Sequence, residues 1–146
     1  MIKLLLAGTG LIGHRHMQHI LEHPDLDLVG VIDPLITDEK IEGVKTYHSL
    51  NDVNNVAEGI ILATPTETHA DLTIQSLEMG LHVLVEKPVA ASLLEADKMI
   101  RASEKTGLSI LVGHHRRHHP LVNETINILK SGKIGTPVAA SLMWLM

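Results

Sequence analysis

Short apolar runs alternate along the chain with longer stretches whose apolar residues recur at helical spacing. Residues 2–7 read as a buried strand ending at glycine. Residues 11–23 carry Leu11, Ile12, Met17, Ile20 and Leu21 on a helical period, and Pro24 stops them. A second strand covers 28–32 and ends at Asp33-Pro34. Residues 35–48 show no clear period. Ser49 and Asp52 have capping-box spacing, which predicts a short helix over 50–57. Residues 59–63 form a strand that Thr64-Pro65 breaks, and a helix over 66–79 closes at Gly80. A strand over 81–85 runs into Glu86-Lys87-Pro88. Ser92 and Glu95 cap a helix that ends at Gly107, and 109–112 is the next strand. Pro120 opens a helix ending near Lys130, and 137–146 reads as a long apolar strand.

Strands that alternate with helices predict a doubly wound parallel sheet, an α/β fold with helices on both faces. Composition sharpens this. One Trp, one Tyr and no Phe leave Leu, Ile, Val, Ala and Met to build the core, as in parallel sheets covered by helices. The formal charge of −5 is spread among interspersed acids and bases, so no nucleic-acid partner is expected. With no Cys, disulfides and thiolate metal sites are excluded. No apolar run reaches membrane-spanning length, and the N-terminus lacks the pattern of a secretory signal. A soluble, cytoplasmic domain is the expectation.

Candidate chemistry gathers at the carboxyl ends of the strands. Gly8-Thr9-Gly10-Leu11-Ile12-Gly13 follows a strand and opens a helix, the context of the dinucleotide fingerprint. Gly8 permits the tight turn, Gly10 lets a pyrophosphate approach the backbone, and Gly13 lets the helix pack closely. Free N–H groups and the dipole of the helix attract phosphate. Asp33 lies 20 residues beyond Gly13. Its carboxylate can accept bonds from ribose hydroxyls and would repel a 2′-phosphate, which favours NAD over NADP. Thr64-Pro65-Thr66-Glu67-Thr68-His69 turns a strand into a helix where a cofactor could touch it. Lys87, at the end of another strand, can orient a hydroxyl and ease proton movement. In the run His114–His119, arginine can hold an anionic or hydroxylated ligand.

Taken together, GTGLIG, Asp33, ATPTETH, VEKP and VGHHRRHHP resemble the Gfo/Idh/MocA (glucose–fructose oxidoreductase / inositol dehydrogenase) family over about residues 1–120. The resemblance implies an NAD-binding Rossmann domain, residues 1–120. Residues 121–146 would then be the connecting helix and first strand of a second α/β domain whose remainder is missing. It also implies a dehydrogenase acting on a sugar, cyclitol or related hydroxylated compound. Carried over by position, Gly8, Gly10 and Gly13 hold the pyrophosphate, Thr9, Leu11 and Ile12 count with them as cofactor-binding, and Asp33 holds the ribose. Thr64, Pro65 and His69 line the cleft, and Glu86 and Lys87 face the nicotinamide, with Lys87 catalytic. Arg117, also expected to bind cofactor, matches the arginine of an Arg-Phe-x-Pro signature in which His118 replaces Phe. None of the histidines matches the family's catalytic His, so this chain is expected to bind cofactor with little turnover.

A stand-alone dinucleotide sensor or a non-functional fragment is the alternative, and the length of the natural gene separates them. A zinc site at His114, His115, His118 and His119 is not expected, because Arg116 and Arg117 repel a cation and no Asp, Glu or Cys joins the cluster. His14, His16, His19 and His23 read as polar positions on the first helix. A methyltransferase also uses a glycine turn and an acidic ribose ligand, but Gly13 and the Glu86-Lys87-Pro88 turn argue against it. The final apolar strand could pair with a copy of itself, so a homo-oligomer is a possible state.

Overall fold

The computed structural model describes residues 1–54, 57–141 and 143. The strands are β1 (Ile2–Ala7), β2 (Leu26–Ile32), β3 (Lys40–Ile41), β4 (Val44–Tyr47), β5 (Gly59–Leu62), β6 (His82–Val85) and β7 (Ile110–Val112). The helices are α1 (Leu11–Glu22), α2 (His69–Glu78), α3 (Leu93–Thr106) and α4 (Pro120–Lys130). The strands form one sheet in the order β3-β4-β2-β1-β5-β6-β7, parallel except for the β3–β4 pair. From β1 the chain winds outward first to one side and then to the other, which makes the doubly wound topology.

Continuous apolar strands follow from burial on both faces. In β1, Leu5 and Ala7 join one core cluster while Leu6, between them, joins the other. The first cluster places Leu62, Val83 and Val85 of the sheet with Leu77 of α2 and Met99 of α3. In the second, Leu6, Leu28, Val31 and Ile61 meet Met17 and Ile20 of α1. The buried hydrophobic residues among those described are all aliphatic or methionine, and His69, Thr73 and Ser76 are buried with them.

Three expectations are corrected. The stretch 35–48 holds a hairpin: Glu42 and Gly43 both have positive φ, 50° and 81°, and turn β3 back onto β4. Two such residues match a two-residue hairpin turn, but Glu-Gly lacks the Asn or Asp that ordinarily marks one. The Ser49–Asp52 capping box forms, yet it caps a single 3-10 turn, Leu50–Asp52, in place of a helix over 50–57. Val53 leaves in an extended conformation and is 6 % exposed, so core burial takes the chain away from the helix; residues 55 and 56 lie outside the described residues.

The third concerns 137–146. Residues 137–141 and 143 form no strand, and 142 and 144–146 lie outside the described residues. A strand needs a neighbour for its N–H and C=O groups, and no described residue beyond Gly113 is in one.

The Ser92 cap forms as expected, its Oγ accepting from the N–H of Glu95 at 3.2 Å. Glu95 reaches one residue further back than a standard box and accepts from Ala91 N–H at 2.9 Å. The chain divides into two compact units, Met1–Gly113 and His114–Met146, ahead of the boundary at residue 120 read from the motifs. Among the described residues no helix is long and apolar enough to cross a membrane.

Candidate functional site

The three glycines of the first turn are needed for three different reasons. Gly8 has φ +92°, and a Cβ there would lie 2.5 Å from the carbonyl oxygen of Ala63, so the turn crosses the tip of β5. A Cβ on Gly13 would lie 2.0 Å from the carbonyl oxygen of Gly8; the glycine lets α1 press on the turn itself. Around Gly10 a Cβ would meet no atom within 4 Å. Gly10 lines the same cleft as Leu11 and Ile12 of the first turn of α1. Gly10 is the N-cap and no side chain caps the helix, so its first-turn donors are left for an anion.

Asp33 follows β2 and closes the turn from the other side. Its Oδ2 accepts from Thr9 N–H at 2.9 Å and from Thr9 Oγ1 at 2.6 Å, and Oδ1 accepts from Leu35 N–H at 3.0 Å. A carboxylate has about four lone-pair sites, so acceptor capacity is left for a ligand hydroxyl. Burial disfavours its charge, but the bonds from Thr9 Oγ1, Leu35 N–H and Thr9 N–H outweigh it and hold the pKa below its ordinary value. The sign follows. A depressed carboxyl stabilises the fold above the ordinary aspartate pKa of about 3.9, and the contribution is lost as pH falls through the lower folded value. Thermal unfolding of wild type and Asp33→Asn is expected to show a gap in Tm at neutral pH that closes in acid. A gap independent of pH would mean that the charge does not hold the network.

The β5 loop supplies the opposite wall. Thr68 Oγ1 lies 2.7 Å from Thr64 Oγ1 and 2.8 Å from the carbonyl oxygen of Pro65. A cleft of about 480 Å³ is lined by Gly8, Thr9, Gly10, Leu11, Ile12, Asp33, Pro34, Leu35, Ala63, Thr64 and Pro65. An adjoining cleft of about 470 Å³ shares Pro34, Thr64 and Pro65 and continues along His48, Leu50, Thr68 and Leu72. Both fall in the size range of ligand sites and lie beyond the carboxyl ends of the strands.

Two of the expected site residues are held by partners within the protein. His69 is 1 % exposed, with Nδ1 2.8 Å from the carbonyl oxygen of Pro88 and Nε2 2.9 Å from that of Thr64. It ties the β5 loop to the β6 loop from beneath and does not line the cleft surface. Glu86 points toward α1, where its Oε1 lies 3.0 Å from His16 Nε2, while Oε2 accepts from the N–H of Lys87 at 3.2 Å. Lys87 itself is exposed at the end of β6, and its peptide to Pro88 is cis. Arg117 lies in the 3-10 turn His115–His118 of the second compact unit, its N–H donating to His114 O at 3.0 Å.

Sequence reasoning missed His16, which was grouped with the polar histidines of α1. The available signal was its spacing: three residues beyond Gly13, it shares that glycine's side of the helix.

A glycine turn, an uncapped helix N-terminus, an acidic residue after the second strand and a cleft across the strand ends define a dinucleotide-binding domain. The family model described as "Oxidoreductase family, NAD-binding Rossmann fold" (GFO_IDH_MocA) matches residues 2–114. The chain belongs to that family. It is 30 % identical over 141 residues to 4-carboxy-2-hydroxymuconate-6-semialdehyde dehydrogenase of Sphingobium sp., covering 91 % of this chain and 44 % of the relative. With the scyllo-inositol 2-dehydrogenase (NAD(+)) of Bacillus subtilis it shares 30 % identity, over 94 % of this chain and 42 % of that protein. The crystal structure of the WlbA dehydrogenase from Bordetella pertussis, in complex with NADH and UDP-GlcNAcA, superposes with a TM-score of 0.84 at 28 % identity, covering 92 % of this chain and 41 % of that one. The chain thus spans less than half the length of the relatives it matches.

Proposed function

We propose that this chain is the cofactor-binding part of a dehydrogenase that takes NAD in preference to NADP and oxidises a hydroxyl-bearing carbon of a sugar-like or cyclitol substrate. The observation that carries it is Asp33: a carboxylate held by Thr9 at the rim of the cleft, with acceptor capacity to spare. The open space at Gly10 fits a pyrophosphate, and a 2′-phosphate would meet the charge of Asp33. NAD+ supplies a hydride acceptor at its nicotinamide. Gly8 and Gly13 keep the turn in shape, and Gly10 and the first turn of α1 bind the phosphates. Thr64 and Pro65 wall the cleft, His69 and Glu86 brace it from behind, and Lys87 orients the substrate hydroxyl. In this reading Arg117 holds an anionic or hydroxylated group, residues 1–120 serve the cofactor, and residues 121–146 lead to the part that supplies the general base. The relatives named for inositol and the bound sugar nucleotide support the substrate class.

The test is thermal unfolding of the purified chain with NAD+ or NADP+. Ligand at about 100 times its Kd adds about 2.7 kcal/mol, several degrees for a domain of this size. A clear rise with NAD+ and little with NADP+ is expected. An equal rise with both removes the role given to Asp33, and no rise with either overturns the cofactor reading for this chain.

A further inference from the structure

We propose that His16 is a positioning residue for the nicotinamide end of the cofactor, acting through Glu86 without touching the ligand. The inference rests on the cofactor reading above and extends it to a residue outside the fingerprint.

Glu86 is held from three sides. His16 Nε2 on α1 lies 3.0 Å from Oε1, and the two side chains are only 23 % and 14 % exposed. The N–H of Lys87 donates to Oε2 at 3.2 Å. On the third side stands Gly113, just beyond β7, where a Cβ would come within 3.0 Å of the Glu86 carboxyl carbon. Any larger residue at 113 would push the carboxylate away. An ionised carboxylate only accepts, so the contact requires His16 to carry a proton on Nε2.

The geometry links two parts of the site that no other side-chain bond described above connects. The helix that carries His16 is the one whose N-terminus faces the phosphates. The residue after Glu86 is Lys87, whose own N–H is tied to the same carboxylate. His16 therefore sets the spacing between the phosphate end of the cleft and the strand end that bears Lys87. A sheltered, charge-assisted bond of this kind gives geometric definition beyond what an exposed pair provides.

The experiment titrates the full chain with ADP-ribose, which lacks the nicotinamide, and with NADH, following the fluorescence of the reduced ring. The variants are His16→Ala and His16→Gln, whose amide can still donate to Glu86. For His16→Ala we expect ADP-ribose affinity within about twofold of wild type, NADH affinity down about tenfold (roughly 1.4 kcal/mol) and loss of the enhanced ring emission. His16→Gln should regain most of both. Unchanged NADH affinity and emission in His16→Ala overturns the proposal, and so does an equal loss for both ligands, which marks a fold defect. Failure of His16→Gln to recover either signal overturns it as well. If wild type binds ADP-ribose but its NADH emission does not change, the nicotinamide is not held and the proposal falls while the cofactor reading stands. If wild type binds neither ligand, the cofactor reading itself falls.

Discussion

Alanine at Gly13 is expected to cost roughly 3 kcal/mol, the upper end of the usual cost of overpacking, and to abolish NAD+ binding. The added methyl carbon would stand 2.0 Å from the carbonyl oxygen of Gly8, a backbone atom that cannot rotate away. Either α1 lifts from the turn or the turn opens, and both destroy the relation between the helix N-terminus and β1. For a chain of this size that is a fall in Tm of about 10 °C. Gly10→Ala is the contrasting case. Its φ of −65° suits any residue, and no atom lies within 4 Å of the new methyl. Stability is expected to stay within about 0.5 kcal/mol of wild type, because the gain from a stiffer unfolded chain is offset by alanine's poorer fit at an N-cap. NAD+ affinity should still drop tenfold or more, about 1.4 kcal/mol, because the methyl occupies the space assigned to the pyrophosphate. Thermal unfolding with NAD+ titration reads both. Wild-type affinity in Gly10→Ala would mean that the turn does not cradle phosphate, and wild-type Tm in Gly13→Ala would contradict the close approach.

The second large effect belongs to His69. Leucine at this position keeps most of the volume but leaves the carbonyls of Thr64 and Pro88 facing an apolar group. An abandoned buried acceptor costs about 1–3 kcal/mol, so the substitution is expected to cost about 1–3 kcal/mol for each carbonyl that the ring bonds. Both ring nitrogens face acceptors, at 2.8 and 2.9 Å. A neutral ring donates to one of them and a doubly protonated ring to both. Urea unfolding should show a lower midpoint at unchanged slope, since the surface exposed on unfolding stays the same. NAD+ affinity should fall with it, because Thr64 and Pro65 wall the cleft and lose their tie to the β6 loop. A midpoint within experimental scatter of wild type would show that water replaces the ring without cost, and the brace would have to be abandoned.

His69 also marks how far sequence reasoning reached. Its place at the start of a helix after a strand is visible in the order Ala63-Thr64-Pro65-Thr66-Glu67-Thr68-His69. Its burial is not, since a polar residue there suits the surface equally well. Glu86 shows the same limit: a Glu-Lys pair at a strand end gives no hint that the carboxylate turns toward His16, 70 residues away. Gly113 reads as the end of a strand, and its function as a gap for that carboxylate depends on two strands lying side by side.

What the amino-acid order alone determined is the local and repetitive part. The apolar runs set which segments enter a sheet covered on both faces. Gly80 and Gly107 ended helices where positive φ is needed, and Ser92 began one. The glycine turn and Asp33 announced a dinucleotide site, because that chemistry is written in residues close together along the chain. Tertiary structure decided what depends on residues far apart. The β3–β4 hairpin is held in place by its pairing with β2, the Ser49 box yields after one turn to the burial of Val53, and the apolar segment 137–141 forms no strand. The physical reason is common to all three. A helix closes its hydrogen bonds within its own segment, whereas strand pairing, core burial and a bond such as His16–Glu86 need a partner that only the folded chain brings near.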